Sequence, residues 1–269
     1  MKKILLTGAA GRIGSSFRQY VEQQASDRYA LRLVDRNLDA LGDPGPHEAH
    51  DVNVADLDAC RQICQGIHTV VHLAADPSPR ADFYESLLDN NIKGMYNIFR
   101  AAKDAGCQRV VYASSVQAID GYPMDVQVRT DMPVRPLNMY GAAKAFGEAT
   151  AHCFAYSEGL SSIAIRVGAY EGNRQQWDEN ERDARTLCTF VSARDLNHLI
   201  ERCIEAPNVQ YAVVQAVSDN RFKRMDLTST RADVGYTPQD DAFELFHTGL
   251  TNHERWYQEN GRTARTESK

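Results

Sequence analysis

Apolar residues along this chain fall into short runs that alternate with stretches of helical spacing. Residues 3–7 (KILLT) form an apolar run that stops at glycines, and residues 12–24 then carry Ile13, Phe17, Tyr20 and Val21 at helical intervals. Residues 30–35 read as a second strand, followed by a Gly/Pro-rich loop at 41–48. The same alternation continues as helix 56–65 and strand 68–74, helix 83–105 and strand 108–114, then helix 140–158 and strand 161–168. Such alternation predicts an α/β fold, a doubly wound parallel sheet with helices on both faces. Runs such as VVHLA and VVYAS lack a polar alternate side, as strands covered on both faces require.

Beyond about residue 170 the pattern loosens. Residues 173–185 are polar and read as a loop; a helix (193–206), a strand (210–217) and a short C-terminal helix follow, and the tail 260–269 is expected to fray. The expected division is one α/β domain over 1–168 and a small lobe over 169–269, parts of which return to the sheet.

A chain of 269 residues can bury a full core without disulfides or metals. With 43% hydrophobic and 25% charged residues it has ordinary globular usage, which excludes general disorder, collagen, coiled coil and membrane channel. No apolar run approaches the ~18–20 residues of a membrane span. The apolar stretch of MKKILLTGAAG is shorter than the ~7–15 residues of a signal-peptide core and reads as a buried first strand. A net charge of −6 without a basic block argues against a nucleic-acid partner. The six cysteines contain no CxxC, and five lie in apolar patterns, so they read as buried thiols of a cytoplasmic, reducing compartment.

The first strand runs into TGAAGRIG, with Gly8, Gly11 and Gly14 at the strand–helix junction. Gly8 permits the tight turn, Gly11 allows close backbone approach to a pyrophosphate, and Gly14 lets the helix pack on the strand. Free N–H groups at the helix start then face the anion, with Arg12 and Ile13 beside them. This context makes the expected sheet Rossmann-type. Asp35 ends the second strand 21 residues after Gly14, where a carboxylate accepts ribose hydroxyls and repels a 2′-phosphate, favouring NAD. Arg36 adjoins it, so NADP is disfavoured and still open. Asp51 and Val52, at the end of the third strand, are expected to meet the adenine.

Tyr140 and Lys144 stand four apart at the start of a helix and share one face. An ammonium beside a phenol lowers a pKa that is otherwise near ~10, so the tyrosine can take a hydroxyl proton. Spacing alone carries little weight. The pair gains it by following a dinucleotide loop and by the presence of Ser114 and Ser115 at a strand end, where open parallel sheets place ligands.

TGAAGRIG, HLAA at 72–75, Asn91 within NNIKG, ASS at 113–115 and YGAAK at 140–144 together resemble the extended short-chain dehydrogenase/reductase family, which includes NAD-dependent epimerases and dehydratases. The resemblance spans at least residues 1–217. Within that family, the chain is most similar to the uronate dehydrogenases and related NAD-dependent aldose dehydrogenases, on the ASS followed by Gly-Tyr-Pro (121–123), the modest length, VSDN and GYTPQDD. The resemblance implies Tyr140 as general base, Lys144 as its electrostatic partner and ribose ligand, and Ser115 as holder of the reacting hydroxyl. It implies that Leu73, Ala74, Ala75 and Ala113 line the NAD path, that Val167 sits near the nicotinamide, and that Asn91 is a structural or relay asparagine on the cofactor side. Ser78, Ser115, Val116, Gln117, Ala169 and Arg185 are implied on the substrate side.

The chain also departs from that subgroup. Val116 and Gln117 stand where uronate dehydrogenases carry Asn-His, and Ala169 where they carry a serine. Arg185 matches their carboxylate-binding arginine across a loop of different length. Lost polar contacts of this kind usually change the substrate.

Other features have plainer readings. His47 and His50 have no partners at metal spacing, so no metal is expected. His72 reads as a hydrogen-bonded core residue, and Cys60 and Cys64 as core packing. Arg174, Arg182, Arg185 and Arg194 form either a solvated face or a site for an acidic or phosphorylated sugar. Phe83, Tyr84, Tyr96 and Phe99 lie on the long helix, where the family often makes a homodimer interface. The expected function is NAD-dependent oxidation of a free sugar or sugar acid at C1 to a lactone. The rivals are an epimerase, dehydratase or reductase of a nucleotide-linked sugar or other carbonyl compound, and an idle dinucleotide sensor.

Overall fold

The first strand, β1 (Lys2–Thr7), enters α1 (Arg12–Gln24) through a glycine turn, and β2 (Tyr29–Asp35), the short α2 (Leu38–Leu41) and β3 (Glu48–Asp51) follow. The computed structural model describes residues 1–172 and 183–246. Next come α3 (Leu57–Ile63), β4 (Thr69–His72), a widely wound helix at Phe83–Lys93 that passes into α4 (Gly94–Asp104), and β5 (Arg109–Ser115). Then α5 (Met139–Glu158) leads to β6 (Ser161–Val167). The remainder is β7 (Ala169–Tyr170), α6 (Ala184–Thr189), β8 (Phe190–Val191), α7 (Ala193–Glu205), β9 (Tyr211–Ala216), α8 (Thr228–Val234) and α9 (Ala242–Leu245).

Seven strands form one sheet in the order β3-β2-β1-β4-β5-β6-β9, and every neighbouring pair is parallel. This is the expected doubly wound sheet. Its strand order reverses beside β1, so the carboxyl ends of β1 and β4 flank the crevice where such sheets bind ligands. Side chains alternate between two cores. Ile4, Leu6, Val71, Val111 and Ile163 pack with Phe17 and Val21 of α1 and Leu199 and Ile200 of α7. Leu5, Val70, Val110 and Ala164 pack with Cys60 of α3, Ile98 and Phe99 of α4, and Phe154 of α5. The period-2 switch from Val70 to Val71 explains why the run had no polar side.

Several elements differ from the sequence expectation. The expected helix 83–105 forms in two windings. Over Phe83–Lys93, N–H groups reach back five residues, as from Gly94 to Asp89, before α4 resumes the normal pitch. Such wide turns are rare and cluster at functional sites. Polar residue 183 ends the loop as a cap: the Asp183 side chain accepts from Thr186 N at 2.8 Å and starts α6. The two-residue strands β7 and β8 pair with each other, apart from the main sheet. The polar stretch 173–182 and the tail 260–269 lie outside the described residues.

Helix α5 is clamped to the sheet from within. Arg166 of β6 makes a two-pronged bond to Glu148, at 2.9 and 2.8 Å, and Ser114 Oγ donates to the same carboxylate at 2.6 Å. Both charged side chains are buried. A Cβ on Gly147 would lie 2.3 Å from the Tyr112 ring, so the missing side chain lets α5 lie close on β5. Removing one partner of a buried ion pair strands the other. Glu148→Gln is therefore expected to destabilise the fold by about 3 kcal/mol, read as a lower midpoint in urea unfolding at constant slope.

Candidate active site

The glycine turn after β1 shows the constraints that a phosphate cradle imposes. Gly8 has φ +71°, and a Cβ there would lie 2.8 Å from the backbone nitrogen of Ala74. A Cβ on Gly14 would lie 2.2 Å from the Gly8 carbonyl oxygen. Gly11 caps α1 without any side-chain hydrogen bond, and the first turn carries no acidic residue. The N–H groups opening α1 thus face the cavity without a protein carboxylate competing for them, as anion binding requires. Asp35 is held at the rim by bonds from Ala10 N (2.9 Å) and Asn37 N (3.2 Å). These features fit a dinucleotide: backbone donors for the pyrophosphate and a fixed carboxylate for ribose hydroxyls.

One cavity of about 930 Å³ joins this cradle to the ends of β4, β5 and β6. From the cofactor set it is lined by Gly8, Gly11, Arg12, Ile13, Gly14, Asp35, Arg36, Val52, Leu73, Ala74, Ala75, Ala113 and Val167. Two members of that set do not line it. Asp51 is exposed beside Asp35 in the β2–β3 register, and the wall there is made by Val52, Asn53 and Val54. Asn91 is buried behind the wall, where it grips the backbone of Asp76. Its Oδ1 accepts from Asp76 N at 2.8 Å and its Nδ2 donates to Asp76 O at 3.0 Å. It shapes the loop carrying Ser78 and leaves the neighbouring Asn90 to face the cavity.

The reacting groups converge from β5 and α5. Asn138 caps α5 by accepting from Gly141 N at 2.8 Å, which starts the helix so that Tyr140 and Lys144 face the end of β5. Both are buried and both line the cavity with Ser115. Ser115 stands close enough to the Tyr140 phenol to favour its ionised form, and its own hydroxyl accepts from Gln117 N at 3.2 Å. Lys144 Nζ donates to Ala113 O at 2.7 Å and lies 5.6 Å from the centre of the Tyr140 ring. Burial pushes the Lys144 ammonium down to about 8. Tyr140 departs from the sequence expectation: burial raises its pKa, the neighbouring Ser115 opposes this, and nearby Asp76 adds to the rise. Burial, Ser115 and Asp76 set the direction of the shift, and Lys144, bonded to Ala113, is not among the charges that move the phenol.

Behind the loop after β4, His72 is fully buried, with Nδ1 2.8 Å from Thr7 Oγ1, which also accepts from Ala74 N at 3.3 Å. Burial pushes its pKa down to about 3, so it is neutral, a core residue as expected.

On the substrate side Ser78, Val116, Gln117, Ala169 and Arg185 line the same cavity. The Gln117 side-chain oxygen accepts from Asn138 Nδ2 at 2.8 Å. Sequence reading missed Asp120, Tyr170, Thr186 and Thr189, which also line it. Asp120 carried no motif, and the threonines sit on α6, between the expected loop at 173–185 and the expected helix at 193–206, where the pattern predicts no element. Arg194 instead pairs with Asp240, and Arg174 and Arg182 lie outside the described residues. Among the described residues, no group of three His, Cys, Asp or Glu side chains could hold a metal ion.

A parallel sheet with a glycine cradle at its switch point, and a Tyr/Lys pair facing a serine across the cavity, defines a dinucleotide-dependent enzyme class. The chain belongs to the NAD dependent epimerase/dehydratase family, whose model matches residues 4–202. It is 34% identical over 265 residues to an NAD-dependent glucose-6-phosphate dehydrogenase of Haloferax volcanii, covering 91% of this chain and 96% of that protein. It is 32% identical to a uronate dehydrogenase of Pseudomonas putida, covering 92% and 87%. The crystal structure of uronate dehydrogenase from Agrobacterium tumefaciens superposes with a TM-score of 0.80 at 31% identity, covering 94% of this chain and 89% of that one.

Two outcomes follow from this geometry. Gly8→Ala, which places a Cβ on backbone at a positive φ, is expected to weaken NAD binding by more than about tenfold, measured by calorimetry. His72 takes up its proton only after unfolding between pH ~6.5 and about 3, so it makes stability fall as pH drops through that window. His72→Gln is expected to flatten this part of the acid side of a urea-unfolding series.

Proposed function

We propose that this protein is an NAD-dependent oxidoreductase that oxidises the C1 hydroxyl of a free sugar or sugar acid to a lactone. The observation that carries this reading is the meeting of Ser115, Tyr140 and Lys144 in the cavity that also contains the glycine cradle. Ser115 holds the C1 hydroxyl, and Tyr140, once ionised, accepts its proton. Lys144, fixed on the Ala113 carbonyl, keeps a positive charge beside the phenol and supplies donors for a ribose. NAD, when bound, takes up the hydride released as the C1–H bond breaks. The high phenol pKa calls for activity that rises with pH on the alkaline side.

The free-sugar reading is supported by size. A cavity of about 930 Å³ has to accommodate the dinucleotide along with the substrate, which suits a monosaccharide better than a second nucleotide. In this reading residues 1–168 bind NAD and residues 169–269 supply the substrate lobe. Among the described residues no helix is long and apolar enough to cross a membrane. Cys60, Cys64, Cys107 and Cys203 are buried free thiols, while Cys153 is exposed, a set that suits the cytoplasm. A homodimer through the long helix is supported by its exposed Tyr84 and Tyr96, whereas Phe99 of the same helix belongs to the core.

The test is NADH absorbance across a panel of uronates, aldoses and aldose phosphates, with NADP in parallel. Turnover with NAD is expected, and Tyr140→Phe is expected to lower kcat about a hundredfold or more while NAD affinity stays near wild type. Tightly retained NAD with no net NADH on any free sugar would replace this reading with an epimerase or dehydratase. Unchanged behaviour of Tyr140→Phe would favour a sensor.

A further inference from the structure

Five residues beyond Ser115 the cavity holds a charged cluster that the oxidation step itself does not use. The Asp120 side chain is only 6% exposed yet faces the cavity. One carboxylate oxygen accepts from Arg224 Nη1 at 2.9 Å, and the other is paired with Arg185. Arg224 is 2% exposed and donates through Nη2 to the carbonyls of Asp120 (3.2 Å) and Tyr122 (2.6 Å), so it is committed to the interior. Arg185 is 44% exposed and lines the cavity. Burial opposes ionisation of Asp120, but the two guanidiniums outweigh it and the carboxylate stays charged. Arg185, Arg224 and Asp120 together carry one net positive charge, which the nearby Asp183 carboxylate offsets in part. With Arg224 sealed behind Asp120, the cation presented to the cavity is Arg185, which pairs with Asp120 and has further N–H donors in its fork.

We propose that Asp120, anchored by Arg224, is a positioning residue that aims Arg185 into the cavity, so that the site selects a sugar carrying an anionic group away from C1. The proposal rests on the sugar-dehydrogenase reading of the site. A half-exposed arginine samples many rotamers, and a carboxylate that is itself held from behind removes that freedom before substrate arrives. The selected group is a carboxylate or a phosphate, the two anions that a guanidinium fork receives in the same way.

The experiment titrates glucuronate, glucose 6-phosphate and glucose into the enzyme–NADH complex by calorimetry, where oxidation cannot proceed. Turnover of the same sugars with NAD is measured separately. The variants are Asp120→Asn, Arg185→Ala, their double, and Asp120→Glu. The wild type is expected to bind one of the two anionic sugars about tenfold or more tighter than glucose, and which one identifies the anion. Arg185→Ala, which leaves Asp120 paired with Arg224, is expected to abolish that preference. Asp120→Asn is expected to weaken the anionic sugar about tenfold, to act in turnover on KM rather than kcat, and to add nothing in the Arg185→Ala background; Asp120→Glu restores part of the loss. NADH affinity stays near wild type throughout, and glucose binding changes less than binding of the anionic sugar. Equal binding of the three sugars by the wild type overturns the proposal, and so does tighter anion binding in Asp120→Asn, which would make Asp120 a charge neutraliser. An Asp120→Asn loss that persists without Arg185 overturns it as well. If Asp120→Asn does not fold, Arg185→Ala and Asp120→Glu decide. Preferential anion binding without turnover of any sugar would leave the inference standing and sink the dehydrogenase reading.

Discussion

The position of α5 on the sheet governs everything else in this molecule. The proton transfer proposed above requires Tyr140 beside Ser115 and Lys144 on Ala113, and both targets lie at the end of β5. That seating is enforced by a buried carboxylate, Glu148, which ties α5 to Arg166 of β6 and to Ser114 of β5 at once. Ion pairs in such surroundings are poor sources of stability and good sources of register, because any other alignment strands a charge. Gly147 permits the close approach over Tyr112, and the ion pair fixes where along the sheet it happens.

The cofactor side follows a complementary logic. There the backbone provides the chemistry, and side chains are excluded where they would obstruct. Gly8 and Gly14 each occupy places where a Cβ would strike backbone, so the chain folds tightly enough to leave the first N–H groups of α1 turned outward. Thr7, His72 and Ala74 form a hydrogen-bonded chain beneath this turn and tie β1 to the loop after β4. The neutrality of His72 keeps that chain free of a charge the interior could not solvate.

How much of this was legible in the sequence depends on whether a feature is local. The strand–helix alternation, the glycine turn, Asp35 and the Tyr140/Lys144 pair are written in neighbouring residues, and the fold places them as their patterns require. Asp51 and Asn91 sit one residue from the wall. The pleat of β3 and the wide winding before α4 decide which neighbour faces inward, and spacing alone does not encode that choice. The phenol of Tyr140 illustrates a different limit: its proximity to Lys144 could be read, but its burial and the lysine's commitment to a carbonyl could not. Asp120 shows the largest gap. Its partners are distant in sequence, so its role exists only after the chain has closed.

The two walls of the cavity differ in how they are built. Ser115, Tyr140 and Lys144 stand on a seven-stranded sheet with both faces covered, whereas Ala169, Tyr170, Arg185, Thr186 and Thr189 are carried by the two-residue β7 and the six-residue α6. Cooperative stability concentrates in the former. A lineage of such enzymes could therefore exchange the residues around Thr186 and Thr189 while the hydride-handling machinery stays intact, so that new sugars are acquired by editing a thin panel bolted to a rigid frame.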